Sequence, residues 1–233
     1  MAFQCTHCGI CCRDPAIAIN LTAGDLVRLS QRIGRRISSL FPDIVDFNPF
    51  PSKEFGIVAF EPGLNKPCAL HVEMRCSVYA DRPLNCRIFP FWLLKAPKEM
   101  WDKDYECLDS LGTVQGEERS RYIRYAKSLA GLIMQESEKT EEILAAIGCR
   151  KIIDLRGHPS FARLQSLPAR EQERQIIQLA MQMRDAPFFQ RAAERLEQAI
   201  MHDAELLARI DEHTAQLAAI EREAYPHGNP PQH

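Results

Sequence analysis

The sequence predicts a mainly α-helical protein with a small irregular, loop-rich cysteine-cluster region that contains short β-strands, and with a helical C-terminal half. Eight of the nine cysteines lie in the first half of the chain, which also carries most of the prolines that mark turns. From Gly116 onward Glu, Arg, Gln, Ala and Leu dominate, and apolar residues recur at helical spacing. We therefore expect a cysteine-cluster domain over residues 1–112, a helical region over 113–225 and a disordered tail over 226–233.

Several elements are marked individually. Thr22 followed by Asp25 resembles a capping box and predicts a helix from about 23 to 35. The run FGIVAF at 55–60 is bounded by charge and by Glu61-Pro62-Gly63, which predicts a short strand. The boundaries of the C-terminal helices are expected at cap and turn residues: Gly148, Pro168, Asp185 and Pro187.

Composition and charge argue against two classes of binding partner, nucleic acid and membranes. The formal net charge is only -2, so there is no bulk electrostatic attraction for nucleic acid or for an anionic membrane surface. No stretch approaches the ~20 apolar residues that a membrane-spanning helix needs, and residues 1–4 lack the features of a secretory signal. We expect a cytoplasmic protein without nucleic-acid or membrane partners. In that reducing compartment, clustered cysteines are expected to bind metal or to act in redox chemistry rather than to form structural disulfides.

The segment CTHCGICC at residues 5–12 places four cysteines within eight positions. Thiolates bind soft metals strongly, and cysteines separated by two residues chelate one ion from a tight turn. Cys5, Cys8 and Cys11 have the spacing of the bacterial ferredoxin run, in which closely spaced cysteines grip one cluster and another ligand comes from elsewhere. Cys12 breaks that pattern. Adjacent side chains of an extended segment point to opposite sides, so one of Cys11 and Cys12 is a candidate ligand of a second site.

Four further cysteines follow at wider intervals: Cys68, Cys76, Cys86 and Cys107. These intervals are too long for a single knuckle and are expected to bring ligands from several elements into one region. Two groups of four thiols allow two four-thiolate sites, or one site with additional redox or neighbouring thiols, and both interpretations stay open. Cys149, which follows Gly148 at a predicted helix end, is expected to be a small buried hydrophobe, and the same interpretation is open for Cys107.

The cysteines belong to an ordered set of short motifs: CTHCGICC, Pro67-Cys68, Cys76-Ser77-Val78-Tyr79, Arg82-Pro83, and Cys86-Arg87 followed by Phe89-Pro90. This set resembles the YkgJ-type cysteine-cluster family (CxxCxxCC), which is described as a zinc- or iron-chelating domain. The resemblance covers residues 5–107 and implies metal chelation, often under the label of an iron-sulfur oxidoreductase. It implies seven metal ligands: Cys5, Cys8, Cys11, Cys12, Cys68, Cys76 and Cys86. We add Cys107 as an eighth candidate ligand, because the family often has a further downstream cysteine.

Charged and polar side chains lie beside these cysteines in the sequence. A site of four thiolates is anionic, so a nearby guanidinium group would stabilise it and, for iron, raise its reduction potential. Arg82 and Arg87 are the candidates for this cofactor-binding role, because neighbouring prolines stiffen their segment. His7 and His71 are possible nitrogen ligands, although with so many thiols available we expect both to be solvated or to lie outside the ligand set.

Two functions follow from these observations. The first is a cytoplasmic iron-sulfur protein that holds a cluster of the 4Fe-4S type and has an electron-transfer or oxidoreductase role. The sequence contains no G-x-G-x-x-G fingerprint and no P-loop, so we expect a redox partner protein to supply electrons. The alternative is a structural zinc-binding module whose helical half mediates protein interaction, including a homodimer through the C-terminal helices.

A third interpretation is metal trafficking or sensing, in which the Cys11-Cys12 pair shifts an ion between sites, and it rests on the adjacency of these two residues alone. The sequence shows no nucleophile elbow of the G-x-S-x-G type and no H-E-x-x-H motif. The question of enzymatic activity therefore stays open, and an enzyme would be an iron-sulfur oxidoreductase.

Overall fold

The computed structural model describes residues 3, 5, 8–14, 19–52, 54–97 and 106–226. The α-helices are α1 (Ile10–Arg13), α2 (Ala23–Ile33), α3 (Leu84–Ile88), α4 (Cys107–Thr113), α5 (Gly116–Ala146), α6 (Phe161–Gln165), α7 (Ala169–Gln182), α8 (Ala186–His202) and α9 (Ala204–Ala224). The strands are β1 (Val45–Pro51), β2 (Ile57–Leu64), β3 (His71–Val72), β4 (Arg75–Cys76) and β5 (Lys151–Asp154), and 3-10 helices span Ile37–Leu40, Tyr79–Asp81 and Phe91–Lys95. The predicted fold class is confirmed. The predicted disordered tail lies outside the described residues except for Pro226.

Helix α2 begins at the capping box that the sequence indicates. The Thr22 side chain accepts a hydrogen bond from the N–H of Asp25, and the Asp25 carboxylate accepts one from the N–H of Thr22. This reciprocal pair satisfies backbone donors that have no partner within the helix. Gly34 ends the helix with a φ of 71°, in the left-handed region that glycine adopts without a Cβ clash. The helix therefore ends two residues before the predicted boundary.

Strands β1, β2 and β5 form an antiparallel sheet in that order. The predicted strand at 55–60 corresponds to β2, which continues to Leu64 through a proline that was expected to end it. The Pro62 carbonyl accepts a hydrogen bond from the N–H of Leu21 and therefore points away from β1. The nitrogen and the carbonyl of one residue face the same side of a strand, so the missing N–H of Pro62 removes no hydrogen bond to β1. Strand β5 was not predicted. It returns from the helical half of the sequence to the sheet.

The C-terminal helices begin and end close to the residues that the sequence predicts. Gly148 adopts a φ of 64° directly after α5, and Pro168 is the N-cap residue of α7. Asp185 caps α8 by accepting a hydrogen bond from the N–H of Phe188 at 3.0 Å. None of the helices in the described part of the chain is both long and apolar enough to cross a membrane.

The buried apolar side chains of the described residues form two hydrophobic cores. The first core joins the sheet to α2, α7 and α8, with Leu26, Phe47, Phe60 and Leu196 among its buried side chains. The second core joins α3, α4, α5 and α9 and includes Leu84, Phe91, Tyr122 and Leu217. Each core contains side chains from both sides of residue 112. The division into a domain at 1–112 and a helical region at 113–225 stays a prediction.

A buried polar network fixes α2 against the long helix α5. The carboxylate of Glu136 on α5 accepts two hydrogen bonds from the Arg28 guanidinium, at 3.0 and 2.9 Å, and a third from the Thr22 hydroxyl. The ring nitrogen Nδ1 of His213 on α9 lies 3.3 Å from the same carboxylate. Arg28 also pairs with Asp25 at 2.9 Å. Every charge in this network therefore has a charged partner, as burial requires.

The approach of the two helices depends on Gly24, where an added Cβ would overlap the Glu136 carboxylate. We expect Gly24→Ala to lower the free energy of unfolding by about 1–3 kcal/mol, because the carboxylate is held by Arg28 and cannot move aside without breaking the network. Gly131→Ala on α5 is the matched control, since a Cβ there meets nothing within 4 Å. It should stabilise the protein by about 0.5–1 kcal/mol through helix propensity. Urea denaturation measures both, and equal stabilisation by the two substitutions would contradict the tight contact.

Candidate metal centre

The eight predicted ligand cysteines line one cavity of ≈ 110 Å³. The cavity lies between the two cores, since Ile19 and Leu64 of the first core and Phe3 and Phe91 of the second all contribute to its walls. Cys149 does not line it and is buried in the first core instead. The cysteines that line the cavity are Cys5, Cys8, Cys11, Cys12, Cys68, Cys76, Cys86 and Cys107.

The CTHCGICC segment turns at Gly9 into the short helix α1. Gly9 has a φ of 70°, and its carbonyl accepts hydrogen bonds from the N–H groups of Cys12 and Arg13 at 3.1 and 3.0 Å. The expectation of an extended segment at Cys11 and Cys12 was wrong, because the helical turn begins immediately before them. Their sulfur atoms lie 4.0 Å apart and both residues line the cavity.

The chain returns to α1 at residues 66–68. The N–H of Cys68 donates a hydrogen bond to the Cys12 carbonyl at 2.8 Å, and the Lys66 ammonium group donates one to the Cys11 carbonyl. Lys66 itself lines the cavity. These backbone contacts bring the second set of cysteines against the first. Sequence reasoning missed Lys66, whose position beside Pro67-Cys68 was the only signal.

Strands β3 and β4, each two residues long, form a hairpin that carries Cys76. His71 pairs with Cys76 in its ladder, and Glu73 and Met74 turn the chain with φ values of 48° and 62°. His71 also lines the cavity, and its ring packs so closely on Gly9 that a Cβ at that position would overlap it. The Nε2 atom of His71 is buried without a hydrogen-bond partner in the described part of the chain. His7 lies outside the described residues.

The two predicted arginines occupy different positions. Arg82 lines the cavity, where its guanidinium carbon lies 4.0 Å from the centroid of the Tyr79 ring. Arg87 is not a lining residue. Its buried guanidinium donates to the carbonyl of Arg82 at 2.7 Å, to the carbonyl of Ala80 and to the carboxylate of Glu221 on α9. Arg87 thus holds the Arg82 segment against the helical half.

Aromatic and apolar side chains form most of the remaining wall. Phe89 and Phe91 line the cavity together with Tyr79. Trp92 does not line it and is 51% exposed. Phe3 packs edge-on against Phe91, with ring centroids 5.0 Å apart. The site is therefore a cavity of soft sulfur donors with predominantly apolar walls.

The thiols differ in acidity. A hydrogen bond from Cys12, helped by the positive charges of Lys66 and Arg82, lowers the pKa of Cys11 to about 7. Because this pKa is close to neutral pH, the Cys11 thiol is partly ionised before a metal arrives. A thiol must lose its proton to bind metal, so Cys11 meets that requirement in part. Burial raises the pKa of four other thiols in the cavity: Cys68, Cys76, Cys86 and Cys107.

The residues of the cavity fit a thiolate-bound metal. No three His, Cys, Asp or Glu side chains among the described residues lie close enough together to hold a single metal ion. The cysteines instead surround a space. Soft thiolate ligands suit zinc, copper and iron-sulfur clusters, and the two cations in the wall, Lys66 and Arg82, offset the negative charge of several thiolates.

The contacts of Arg87 predict a structural effect. We expect Arg87→Met to lower the free energy of unfolding by about 3–5 kcal/mol, because it leaves Glu221 without its buried partner and frees two loop carbonyls. Arg222→Met, at an exposed position of the same helix as Glu221, should change it by less than about 0.5 kcal/mol. Chemical denaturation checks both, and a loss of similar size in the two variants would contradict the anchoring role.

One family model matches the part of the chain that contains the site. Residues 4–108, a little under half of the chain, match the model CxxCxxCC, whose description is "Putative zinc- or iron-chelating domain". No curated protein and no solved structure matches the chain. The match begins before the first cysteine of CTHCGICC and ends after Cys107, so it spans all eight cysteines of the cavity. The cysteine segment is thus similar to a domain that is described as zinc- or iron-chelating.

Proposed function

We propose that residues 4–108 hold an iron-sulfur cluster and that the protein takes part in electron transfer. One observation carries this proposal: the eight cysteines surround one cavity with predominantly apolar walls. A cluster is bound at its periphery, so its thiolates stand around a volume.

The spacing of the first cysteines supports iron in particular. Cys5, Cys8 and Cys11 repeat the interval of the bacterial ferredoxin run, which takes a further cysteine from another part of the chain. Cys107 lines the same cavity from the start of α4 and is available for that role. We expect a cluster of the 4Fe-4S type.

The side chains of this protein have distinct tasks in the proposal. The thiolates bind the cluster, which when present supplies one-electron transfer. Lys66 and Arg82 offset its negative charge, and a positive environment raises the reduction potential. Phe89 and Phe91 exclude water from the cavity wall. Arg87 holds Arg82 in place by its hydrogen bond to the Arg82 carbonyl.

A redox partner protein is part of the proposal, since the sequence carries no nucleotide-binding motif from which electrons could be drawn. The exposed apolar side chains closest in sequence to cavity residues are Val72, Met74 and Trp92. Cytoplasmic location remains an expectation, as does the absence of nucleic-acid and membrane partners. Whether the protein catalyses a reaction is left open.

Zinc is the second candidate, because the family description names zinc and iron equally. A zinc-filled site would be redox inert, and the function would then lie in the surfaces of the helical half. The apolar stripe of α9 is occupied within the chain, since Leu206, Ile210 and Leu217 are buried. A homodimer through the C-terminal helices would therefore use other positions, such as the exposed Met134 and Met201.

The test is metal and acid-labile sulfide content of protein purified without oxygen, together with its visible spectrum. We expect iron with equimolar sulfide and a broad visible absorption from sulfur-to-iron charge transfer. Cys86→Ala should lower the iron and sulfide content severalfold, because it removes a donor from the cavity. Cys149→Ala is the matched control and should retain the wild-type content, since Cys149 does not line the cavity.

Stoichiometric zinc without sulfide would refute the iron-sulfur proposal and favour the zinc module. Equal metal loss in Cys86→Ala and Cys149→Ala, with native circular dichroism in both variants, would refute the assignment of this cavity as the metal centre, because Cys149 does not line it.

A further inference from the structure

We propose that the eight cysteines form two four-thiolate sites side by side, one made by Cys5, Cys8, Cys11 and Cys107 and the other by Cys12, Cys68, Cys76 and Cys86. We call them the N-terminal site and the loop site. The inference rests on the proposed function only in that the cavity binds metal. It applies to iron-sulfur clusters and to zinc alike, since both accept four thiolates.

Packing separates the two groups. Cys12, Cys68, Cys76 and Cys86 all pack with the first core, beside Leu64, Leu70 and Val78. Cys5, Cys11 and Cys107 all pack with the second core, beside Phe3 and Phe91. The cavity lies between the two cores, so the two groups belong to different parts of its wall.

Backbone hydrogen bonds hold the loop site together. The N–H of Cys68 bonds to the carbonyl of Cys12 at 2.8 Å, and the N–H of His71 bonds to the carbonyl of Cys68 at 3.0 Å. His71 in turn pairs with Cys76 across the β3–β4 hairpin. Three of the four loop-site cysteines, Cys12, Cys68 and Cys76, therefore belong to one hydrogen-bonded unit.

Spacing along the chain places Cys8 in the N-terminal site. Cys8 lies midway between Cys5 and Cys11 in the C-x2-C-x2-C run of CTHCGICC, the spacing with which a ferredoxin run grips one cluster.

Cys11 and Cys12 form the boundary. Helix α1 sets their sulfur atoms 4.0 Å apart, yet Cys11 packs with the second core and Cys12 with the first. Assigning Cys11 to the N-terminal site gives each site four thiols. The adjacency of the two cysteines in the sequence, which has no counterpart in a simple ferredoxin run, then has a structural reason: it joins two neighbouring centres through one peptide bond.

The experiment counts centres in full-length protein purified without oxygen, by native mass spectrometry with iron, zinc and sulfide analysis. The wild-type chain should carry about eight iron and eight sulfide as two 4Fe-4S clusters, or about two zinc. Cys107→Ser and Cys76→Ser should each retain about half of the wild-type metal. Cys149→Ser, outside the cavity, should retain all of it.

Double substitutions test the membership of each site. Cys11→Ser combined with Cys107→Ser removes two ligands of one site and should lose no more metal than Cys107→Ser alone. Cys12→Ser combined with Cys107→Ser removes one ligand from each site and should lose nearly all metal. The reverse pattern, or equal loss in the two double variants, would overturn the division.

The wild-type count needs no variant to fold and separates this inference from the proposed function. One cluster per chain would support the iron-sulfur proposal and overturn the two-site division. Two zinc ions per chain without sulfide would overturn the iron-sulfur proposal and support the two-site division. A folded chain that binds neither metal would overturn both.

Discussion

The buried carboxylate of Glu136 on α5 connects three helices, because it contacts side chains of both α2 and α9. It accepts two hydrogen bonds from Arg28 of α2 and one from Thr22, and it lies beside His213 of α9. Breaking a buried ion pair of this kind typically costs about 3–5 kcal/mol, a large part of the stability of a domain. Glu136 of α5 therefore links α2 and α9 to that helix by polar contacts, in addition to the apolar packing of the two cores.

This network reaches the cysteine cavity through Asp25. Its carboxylate pairs with Arg28 and also accepts a hydrogen bond from the N–H of Leu84 at 3.0 Å, the first residue of α3, which carries Cys86. A second ion pair, between Arg87 and Glu221, ties the same helix to α9. The helical half thus serves as the scaffold on which the proline-rich cysteine segment is ordered, because that segment has few long elements of its own.

The position of the cavity between the two cores gives it its chemical character. Apolar side chains from both cores exclude water, while the soft donors come from α1, α3 and the start of α4, and from loops and short strands. A low-dielectric environment strengthens the effect of Lys66 and Arg82 on any anionic group bound there. Charge compensation and water exclusion are the two features by which a protein tunes a thiolate-bound metal, and both arise here from tertiary packing.

The sequence by itself determined the helical class, the capping box at Thr22 and Asp25, the punctuation of the C-terminal helices and the family of the cysteine motifs, because each depends on residues close together in the chain. Only the tertiary structure decided that β5 joins the sheet, that Glu136 pairs with Arg28, that Lys66 lines the cavity while Arg87 does not, and that Cys11 and Cys12 both face it. Local patterns fix backbone conformation within a few residues. Which distant side chains meet depends on how two cores pack, and that packing is a property of the whole chain.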